Sequence, residues 1–180
     1  TEVNFENGDQ IGFTMTKVNG TEAYADNAVL SFDGSVFSGE LMWYADAYSE
    51  ADVYAYYPYE ATGTPAYYAA VLDQTAGIAQ ADFMAASKKG VLPTPNAITM
   101  VFKHLMTKLV INIDNQSGAE VNTVKILGGD AACDIDLPNL AVLPASGGMS
   151  TELTEITAYE ATAGKVWKAI VIPQTVKLSV

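Results

Sequence analysis

Short apolar segments separated by closely spaced turn signals constrain this chain more than any other feature. The segments IGFTMTKV, AVLSF, VNTVKIL, KVWKAIVI and TVKLSV are rich in β-branched or aromatic residues. Between them lie ENGD, VNGT, FDGS, NQSG, LGGD and PASGG, whose glycine, asparagine and aspartate residues favour turns. In the first segment Ile11, Phe13 and Met15 alternate with Thr14 and Thr16, as in a strand with one buried face. Many short strands joined by turns predict an all-β sandwich.

The segment ADVYAYYPY, residues 51–59, places four tyrosines and a proline in nine residues. Apolar or aromatic side chains occupy positions of both parities, so both faces of such a strand would be covered. We predict a central strand that ends at Pro58, because proline cannot donate a ladder hydrogen bond. Packing in the core is the first interpretation of these tyrosines, and a platform on which a ligand stacks is the alternative.

The segment ITMVFKHLMTKLVINI, residues 98–113, has apolar residues at spacings that fit a helix as well as a strand. As a strand it needs a change of parity between two sets of apolar residues: Ile98, Met100 and Phe102 before the change, then Leu105, Leu109, Ile111 and Ile113. We predict two strand pieces around an irregular centre near His104. We expect His104 itself to be largely buried, hydrogen-bonded and free of metal.

Proline, glycine and serine cluster in LPASGGMS, residues 143–150, which is the best candidate for a boundary. We therefore divide the chain into an N-terminal β-sandwich domain, residues 1–143, and residues 144–180, which supply terminal strands or begin a second sandwich. In the last segment Val176, Leu178 and Val180 alternate with polar residues. We expect this strand to pair within its own chain and the protein to be mainly monomeric, because an unpaired strand edge recruits a neighbour.

Acidic residues outnumber basic ones in this sequence. There are 21 Asp and Glu against nine Lys, no Arg, and a net charge of −12. A nucleic-acid partner requires clustered Lys and Arg, so the balance argues against it, and an anionic membrane surface is disfavoured for the same reason. No apolar run approaches the about 20 residues that a membrane helix requires. The acidity predicts a soluble protein in an exposed environment.

Residues for the common kinds of catalysis and metal binding are scarce. One histidine and one cysteine cannot supply a zinc site, and the chain has no GxSxG elbow and no glycine-rich phosphate loop. Cys133 lies among small and acidic residues, which predicts a buried and inert thiol. The spacing of Asp130, Asp134 and Asp136 leaves a calcium site as an alternative. We predict a protein without enzymatic activity and without a cofactor.

Five motifs, in the same order and across most of the chain, resemble the fimbrillin-like proteins of Bacteroidales. The stretch VNFENGDQIGF resembles the family's opening, YAYYPY resembles its Tyr-Pro-Tyr strand end, and ADFMAAS resembles a D-x-M-x-A element. MVFKHLMTKLVINI is similar to an F-x-H-x-x-x-K-L region, and AIVIPQTV to a downstream Pro-Gln segment. The motif residues singled out are Phe5, Gly8, Asp9, Tyr57, Pro58, Tyr59, Phe102 and His104.

The resemblance implies a transthyretin-like Greek-key β-sandwich, usually followed by a second sandwich domain. It further implies export as a lipoprotein to the cell surface and assembly into type V pili, where a strand of one subunit completes the sheet of another. The family's leader and lipid-bearing cysteine do not appear in this sequence, which indicates a trimmed chain. The alternative is a tip adhesin or glycan-binding module, whose exposed ligand contacts would be Tyr54, Tyr56, Tyr67 and Tyr68.

Overall fold

The computed structural model describes residues 4–18, 23–43, 49–146 and 154–174. These residues form strands and one short 3₁₀ helix, and antiparallel pairing occurs in all four sheets. The strands are β1 (Gln10–Lys17), β2 (Ala23–Phe32), β3 (Phe37–Ser38), β4 (Ala51–Tyr57), β5 (Tyr67–Ala69), β6 (Met84–Val91), β7 (Lys103–His104), β8 (Thr107–Asn112), β9 (Lys125–Gly129), β10 (Ala132–Asp136), β11 (Ala141–Pro144), β12 (Thr154–Thr157), β13 (Tyr159–Thr162) and β14 (Val166–Val171), and the 3₁₀ helix is Ala79–Ala81. The predicted all-β class is confirmed.

The chain folds into two compact units, and each is assembled from separate stretches of sequence. Unit 1 comprises Thr1–Ala66, Phe83–Lys103 and Asp136–Ala141. Unit 2 comprises Tyr67–Asp82, His104–Ile135 and Val142–Val180. Strands β12 to β14 belong to unit 2 and provide the β region expected towards the C terminus. The predicted division into domains at residues 143 and 144 stays a prediction.

Unit 1 is built on a six-stranded sheet with the order β3-β2-β1-β4-β6-β7. The tyrosine-rich strand β4 lies between β1 and β6 and pairs with both. It ends at Tyr57, directly before Pro58, and the peptide bond between these two residues is cis. The predicted central position of this strand and its end at the proline are confirmed.

One face of this sheet carries the core of unit 1. Its buried residues come mainly from alternate positions of β1 and β4: Ile11, Phe13, Met15, Ala51, Val53 and Ala55, together with Leu30 and Val91. Burial of a large apolar side chain of this kind stabilises a fold by about 1.5–3 kcal/mol. The alternation predicted for β1 holds for its apolar residues, but Thr14 is buried as well. Its hydroxyl lies 3.2 Å from that of Thr64, which covers the other face of the sheet.

Residues 98–113 show the predicted change of parity without forming two full strands. Ile98, Met100 and Phe102 pack against the core of unit 1, although residues 98–102 belong to no strand. Leu109 and Ile111, on β8, pack against the core of unit 2. The break near His104 is therefore confirmed. The chain passes from unit 1 to unit 2 there, and its side chains pack against a different core on each side of the break. The helical interpretation and the first strand piece were wrong, since residues 98–102 form neither a helix nor a strand.

Unit 2 contains three smaller sheets, with the orders β11-β10-β5, β12-β9 and β13-β14-β8. Ile126 of β9 and Ile156 of β12 meet Trp167, Ala169 and Val171 of β14 in one core. Two sheets that face each other across a shared core form a β-sandwich. The strand predicted in KVWKAIVI is confirmed, and the one predicted in VNTVKIL is shifted to Lys125–Gly129.

Some predictions lie outside the described residues. The terminal strand Val176–Val180 and its pairing stay predictions, as does the part of the predicted boundary at residues 147–150. Within the described ranges, no helix has the length and apolar character needed to cross a membrane.

Candidate functional site

A buried glutamine joins the two facing sheets of unit 2 along one side. Gln74 is 1% exposed, and its side-chain amide donates to the carbonyl oxygens of Ile170 at 2.8 Å and Val71 at 2.9 Å. Its Oε1 accepts from the backbone N–H of Ile170 at 2.8 Å. Its backbone N–H donates to the carbonyl of Thr157 at 3.0 Å, and the N–H of Thr157 donates to the carbonyl of Leu72 at 2.8 Å. This short segment therefore pairs with the edge of β12, and the side chain of Gln74 bonds to β14 beyond the residues that pair with β13.

On the opposite side of the β14 sheet, β8 has no further partner strand among the described residues. The backbone groups of Ile170 point to Gln74, so Ile170 and its opposite residue Lys108 form a pair without mutual hydrogen bonds. The N–H and C=O of Lys108 consequently point away from β14. Those of Val110 and Asn112 do the same, because the direction alternates along a strand. No strand in the described part of the chain pairs with this side of β8.

The outer edge of β9 likewise has no partner strand in the part of the chain that the structure describes. Thr157 directs its backbone groups to residues 72–74, so those of Lys125, its opposite residue on β9, point away from β12. Because Thr157 and Ile170 both direct their backbone groups to residues 72–74, β8 and β9 lie on the other side of β14 and β12. These two edges, which lack a partner strand within the described ranges, are termed the open seam. The open seam is defined by the backbone of Lys108, Val110 and Asn112 on β8 and of Lys125 and Leu127 on β9.

The side chains on the strands that border the open seam are less buried than the inner side chains of β14. Leu109 and Ile111, on the inner face of β8, are partly buried, whereas their neighbours on β14 are buried. On the outer side, Val110 is 52% exposed and Leu127 is 54% exposed. An edge with free backbone groups and partly exposed apolar side chains is a surface to which another strand can be added.

Phe5, a residue of the opening motif, is the centre of an aromatic cluster in unit 1. The centre of its ring lies 4.9 Å from that of Phe37, 5.2 Å from Phe102 and 5.5 Å from Tyr57, all edge to face. Phe32 lies 6.0 Å away in a tilted arrangement. Edge-to-face pairs of this kind add stability beyond the area that they bury. Residues of three separate motifs thus meet in one packing site.

A tight turn follows Phe5. The N–H of Asp9 donates to the carbonyl of Glu6 at 2.9 Å, and Gly8 within the turn has a φ of 97°, which favours glycine. The Asp9 carboxylate accepts from the Glu6 N–H at 2.8 Å and from the Tyr57 hydroxyl at 3.3 Å. On the other side of the cis bond before Pro58, the N–H of Tyr59 donates to the carbonyl of Gln10 at 3.2 Å.

Tyr56 on β4 is directly opposite Gly12 on β1 and is 1% exposed. A Cβ atom on Gly12 would lie 2.2 Å from Cε1 of Tyr56, so glycine leaves the room that the ring occupies. The Tyr56 hydroxyl donates to Oδ1 of Asn27 at 2.6 Å and accepts from the N–H of Glu60 at 3.2 Å. Burial raises the pKa of Tyr56 above its ordinary value. The ring of Tyr56 is thus buried, and its hydroxyl both donates and accepts a hydrogen bond.

The tyrosines considered as ligand contacts do not form an exposed group. Of Tyr54, Tyr56, Tyr67 and Tyr68, only Tyr67 is exposed, at 53%. The Tyr68 hydroxyl donates to the carbonyl of Ala81 at 2.9 Å, and burial raises the pKa of Tyr68 to about 12. A binding platform needs several exposed rings that converge on one surface. The described geometry does not favour a ligand role for these four residues.

His104 is hydrogen-bonded near a strand break, as predicted, but it is not buried. Its Nδ1 lies 2.9 Å from Oδ1 of Asp82, and its side chain is 50% exposed, against 9% for Asp82. The expectation of a largely buried histidine was wrong, because the residue ends a two-residue strand and half of its side chain faces solvent. The buried member of the pair is Asp82, from the D-x-M-x-A element.

Within the described ranges, no group of three or more His, Cys, Asp or Glu is arranged to hold a metal ion. The carboxylates of Asp134 and Asp136 instead accept backbone N–H groups. The calcium alternative at Asp130, Asp134 and Asp136 therefore has no geometric support. Cys133 is buried, and burial raises the pKa of its thiol to about 11, whereas a thiolate nucleophile requires a lowered pKa.

Sequence reasoning did not single out Gln74 or the open seam. Gln74 lies in the turn-like stretch LDQTAG, which has no apolar periodicity to mark it. The seam depends on which strands are neighbours, and alternation within one strand does not record this. The only sequence feature that could have marked Gln74 is a polar residue between two apolar segments. This feature is common in turns and therefore does not distinguish a buried glutamine.

The sequence profile of the family described as fimbrillin-like matches residues 1–180. No curated protein sequence matches this chain. Among solved structures, a proposed cell adhesion protein from Bacteroides ovatus ATCC 8483 has a TM-score of 0.66 at 20% identity, over 94% of this chain and 69% of that one. A fimbrial protein from Bacteroides ovatus ATCC 8483 has a TM-score of 0.60 at 18% identity, over 96% of this chain and 38% of that one. This chain thus spans less than half of the fimbrial protein, and at such identities the likeness concerns the fold.

The family profile covers every residue of the sequence, and both solved structures share its fold. The motif residues Phe5, Tyr57 and Phe102, which carried part of the resemblance, meet in the aromatic cluster of unit 1. The chain belongs to the fimbrillin-like family.

Proposed function

We propose that this protein is a non-enzymatic subunit of a cell-surface fimbrium and that it assembles with other subunits by β-strand addition at the open seam. The observation that carries the proposal is the free edge of β8. There, the backbone groups of Lys108, Val110 and Asn112 have no partner strand among the described residues. An added strand would bond to these groups and cover the partly buried side chains on the inner face of β8.

Family membership supports this role. Fimbrillin-like proteins are a structural class, and the two similar solved structures are named for a fimbrial protein and for cell adhesion. The proposal includes export to the cell surface, attachment to the outer membrane through a lipid anchor, and a contribution of the assembled fimbrium to adhesion. The net charge of −12 suits a protein that must stay soluble in an exposed environment.

A proline at position 110 tests the open edge directly. Val110→Pro removes the N–H that faces the open seam, and proline is tolerated where this group faces solvent on an edge strand. Val110→Ala is the matched control, because it shortens the same side chain and keeps the N–H. In negative-stain electron microscopy of the exported protein, the parent and Val110→Ala should form filaments, and Val110→Pro should not. The thermal midpoints of the two variants should be similar.

Two results would contradict different parts of this proposal. Filaments of Val110→Pro as frequent as those of the parent would show that β8 is not the accepting edge. If the exported parent protein forms no filaments and enters none formed by other subunits, the subunit role itself is wrong.

A further inference from the structure

The outer face of the sheet that contains β8 carries two lysines. Lys108 lies opposite Ile170, and Lys168 lies opposite Val110. Residues directly opposite each other project from the same face of a sheet, so both lysines belong to the outer face. Neither β8 nor β14 contains an Asp or Glu, and the residue of β13 opposite Lys168 is Tyr159.

This face stands out in a chain with 21 acidic and nine basic residues. The ion pairs within the described ranges are His104–Asp82 and Lys125–Glu155. Lys125, on the β9 side of the open seam, thus already has a carboxylate partner. Lys108, on the β8 side, forms no ion pair there and lies beside the free edge.

We propose that the open seam selects its incoming strand by charge, and that the strand pairing with β8 carries a carboxylate opposite Lys108. This inference rests on the proposed strand addition and specifies the chemistry of the partner. The partner is an extended segment of another subunit with apolar side chains on its inner face and acidic side chains on its outer face.

Pairing with β8 fixes the pattern of such a segment. Its residues opposite Leu109 and Ile111 turn towards the core and must be apolar. Its residue opposite Lys108 points outward, next to the ammonium group. Its residue opposite Val110 also points outward, on the face that carries Lys168. Opposite charges on neighbouring strands favour pairing and like charges oppose it, so this face rejects a strand with outward lysines.

Two synthetic peptides of equal length test the selection. Both carry valine at the inward positions, and the outward positions hold glutamate in one peptide and lysine in the other. Fluorescence anisotropy at low salt should show that the parent protein prefers the glutamate peptide by roughly 2-fold to 30-fold, the range for exchanging like cross-strand pairs for opposite ones. The net charge of −12 would by itself favour the lysine peptide, so a preference for glutamate reports the local site.

Two lysine variants locate the effect. Lys108→Glu should abolish or reverse the preference for the glutamate peptide. Lys89→Glu makes the same change in net charge on an exposed lysine of unit 1, and the preference should persist. Val110→Pro should remove the binding of both peptides, which places them at the open seam.

The outcomes separate this inference from the proposed function. Equal binding of the two peptides, or a preference for the lysine peptide, overturns the charge selection. If Val110→Pro removes that binding, strand addition at the open seam is still supported. If neither peptide binds the parent protein, the open seam accepts no strand, and both proposals fail.

Discussion

Replacing Gln74 with alanine should strongly destabilise unit 2, because this one side chain joins two sheets. The change deletes three hydrogen bonds of 2.8 to 2.9 Å and leaves the buried N–H and C=O of Ile170 without their partner. A buried polar group left unpaired costs about 1–3 kcal/mol, so the two groups of Ile170 cost about 2–6 kcal/mol. The cavity left by the amide adds to this. We expect the free energy of unfolding to fall by about 3–6 kcal/mol, a large share of the about 5–15 kcal/mol typical of a domain.

The variant Gln74→Glu separates hydrogen bonding from volume. Its carboxylate has nearly the same shape and can still accept from the N–H of Ile170. It cannot donate to the two carbonyl oxygens that Nε2 of Gln74 serves, those of Ile170 and Val71. Burial disfavours the charged form and should raise the pKa of the new carboxyl group above its unfolded value. The variant should therefore be more stable at pH 4 than at pH 8, since protonation restores one donor.

Urea unfolding followed by the fluorescence of Trp167 measures these changes, because Trp167 lies in the core of unit 2. A Trp43→Phe background makes Trp167 the single tryptophan. Gln80→Ala is the matched control, since Gln80 is exposed on the 3₁₀ helix of unit 2 and its loss should cost no more than about 0.5 kcal/mol. An unfolding free energy of Gln74→Ala as close as that to its parent would refute the role assigned to Gln74.

Three further predictions concern single side chains. Gly12→Ala should lower the free energy of unfolding in urea by about 3 kcal/mol, because its methyl group would lie 2.2 Å from the ring of Tyr56. An equal loss in a Tyr56→Leu background would disprove this cause. His104→Ala should cost only about 1 kcal/mol, since the histidine is half exposed, and a loss of more than about 3 kcal/mol would mean that its pair with Asp82 behaves as fully buried. The thermal midpoint should fall as the pH rises from 10 to 12, because Tyr68 has its pKa raised by burial from 10.0 to about 12 and ionises first in the unfolded chain. Tyr68→Phe should flatten that fall, and Tyr67→Phe, at the exposed neighbour, should not.

Strands with a regular pattern of burial could be predicted from the sequence. Ile11, Phe13 and Met15 alternate along β1 because every second residue faces the core of unit 1. The tyrosine-rich strand β4 carries apolar residues at both parities because it is central in its sheet. The change of parity near His104 was also visible, since each side of the break serves its own core. Local periodicity records which face of a strand is covered.

Contacts between distant segments leave no such record. Gln74 bonds to Ile170, 96 residues further along the chain, and its own neighbours in sequence do not mark it. Thr14 was assigned to an uncovered face because Thr64, 50 residues later, gives no sign in the sequence that it covers that face. The exposure of His104 and the openness of the β8 edge likewise depend on what packs beside them. These features depend on which segments of the chain are neighbours in the fold. The alternation of residues within one strand does not reveal those neighbours.

The interleaving of the two units has a consequence for folding and for evolution. The chain passes between them five times, so neither unit is a continuous stretch of sequence. When unit 1 forms, it brings together the ends of residues 67–82 and of residues 104–135, which lie in unit 2. This lowers the loop-closure entropy that unit 2 must lose, so each unit should make the folding of the other faster and more cooperative. For the same reason, a single genetic exchange of one continuous stretch cannot replace one unit and leave the other intact.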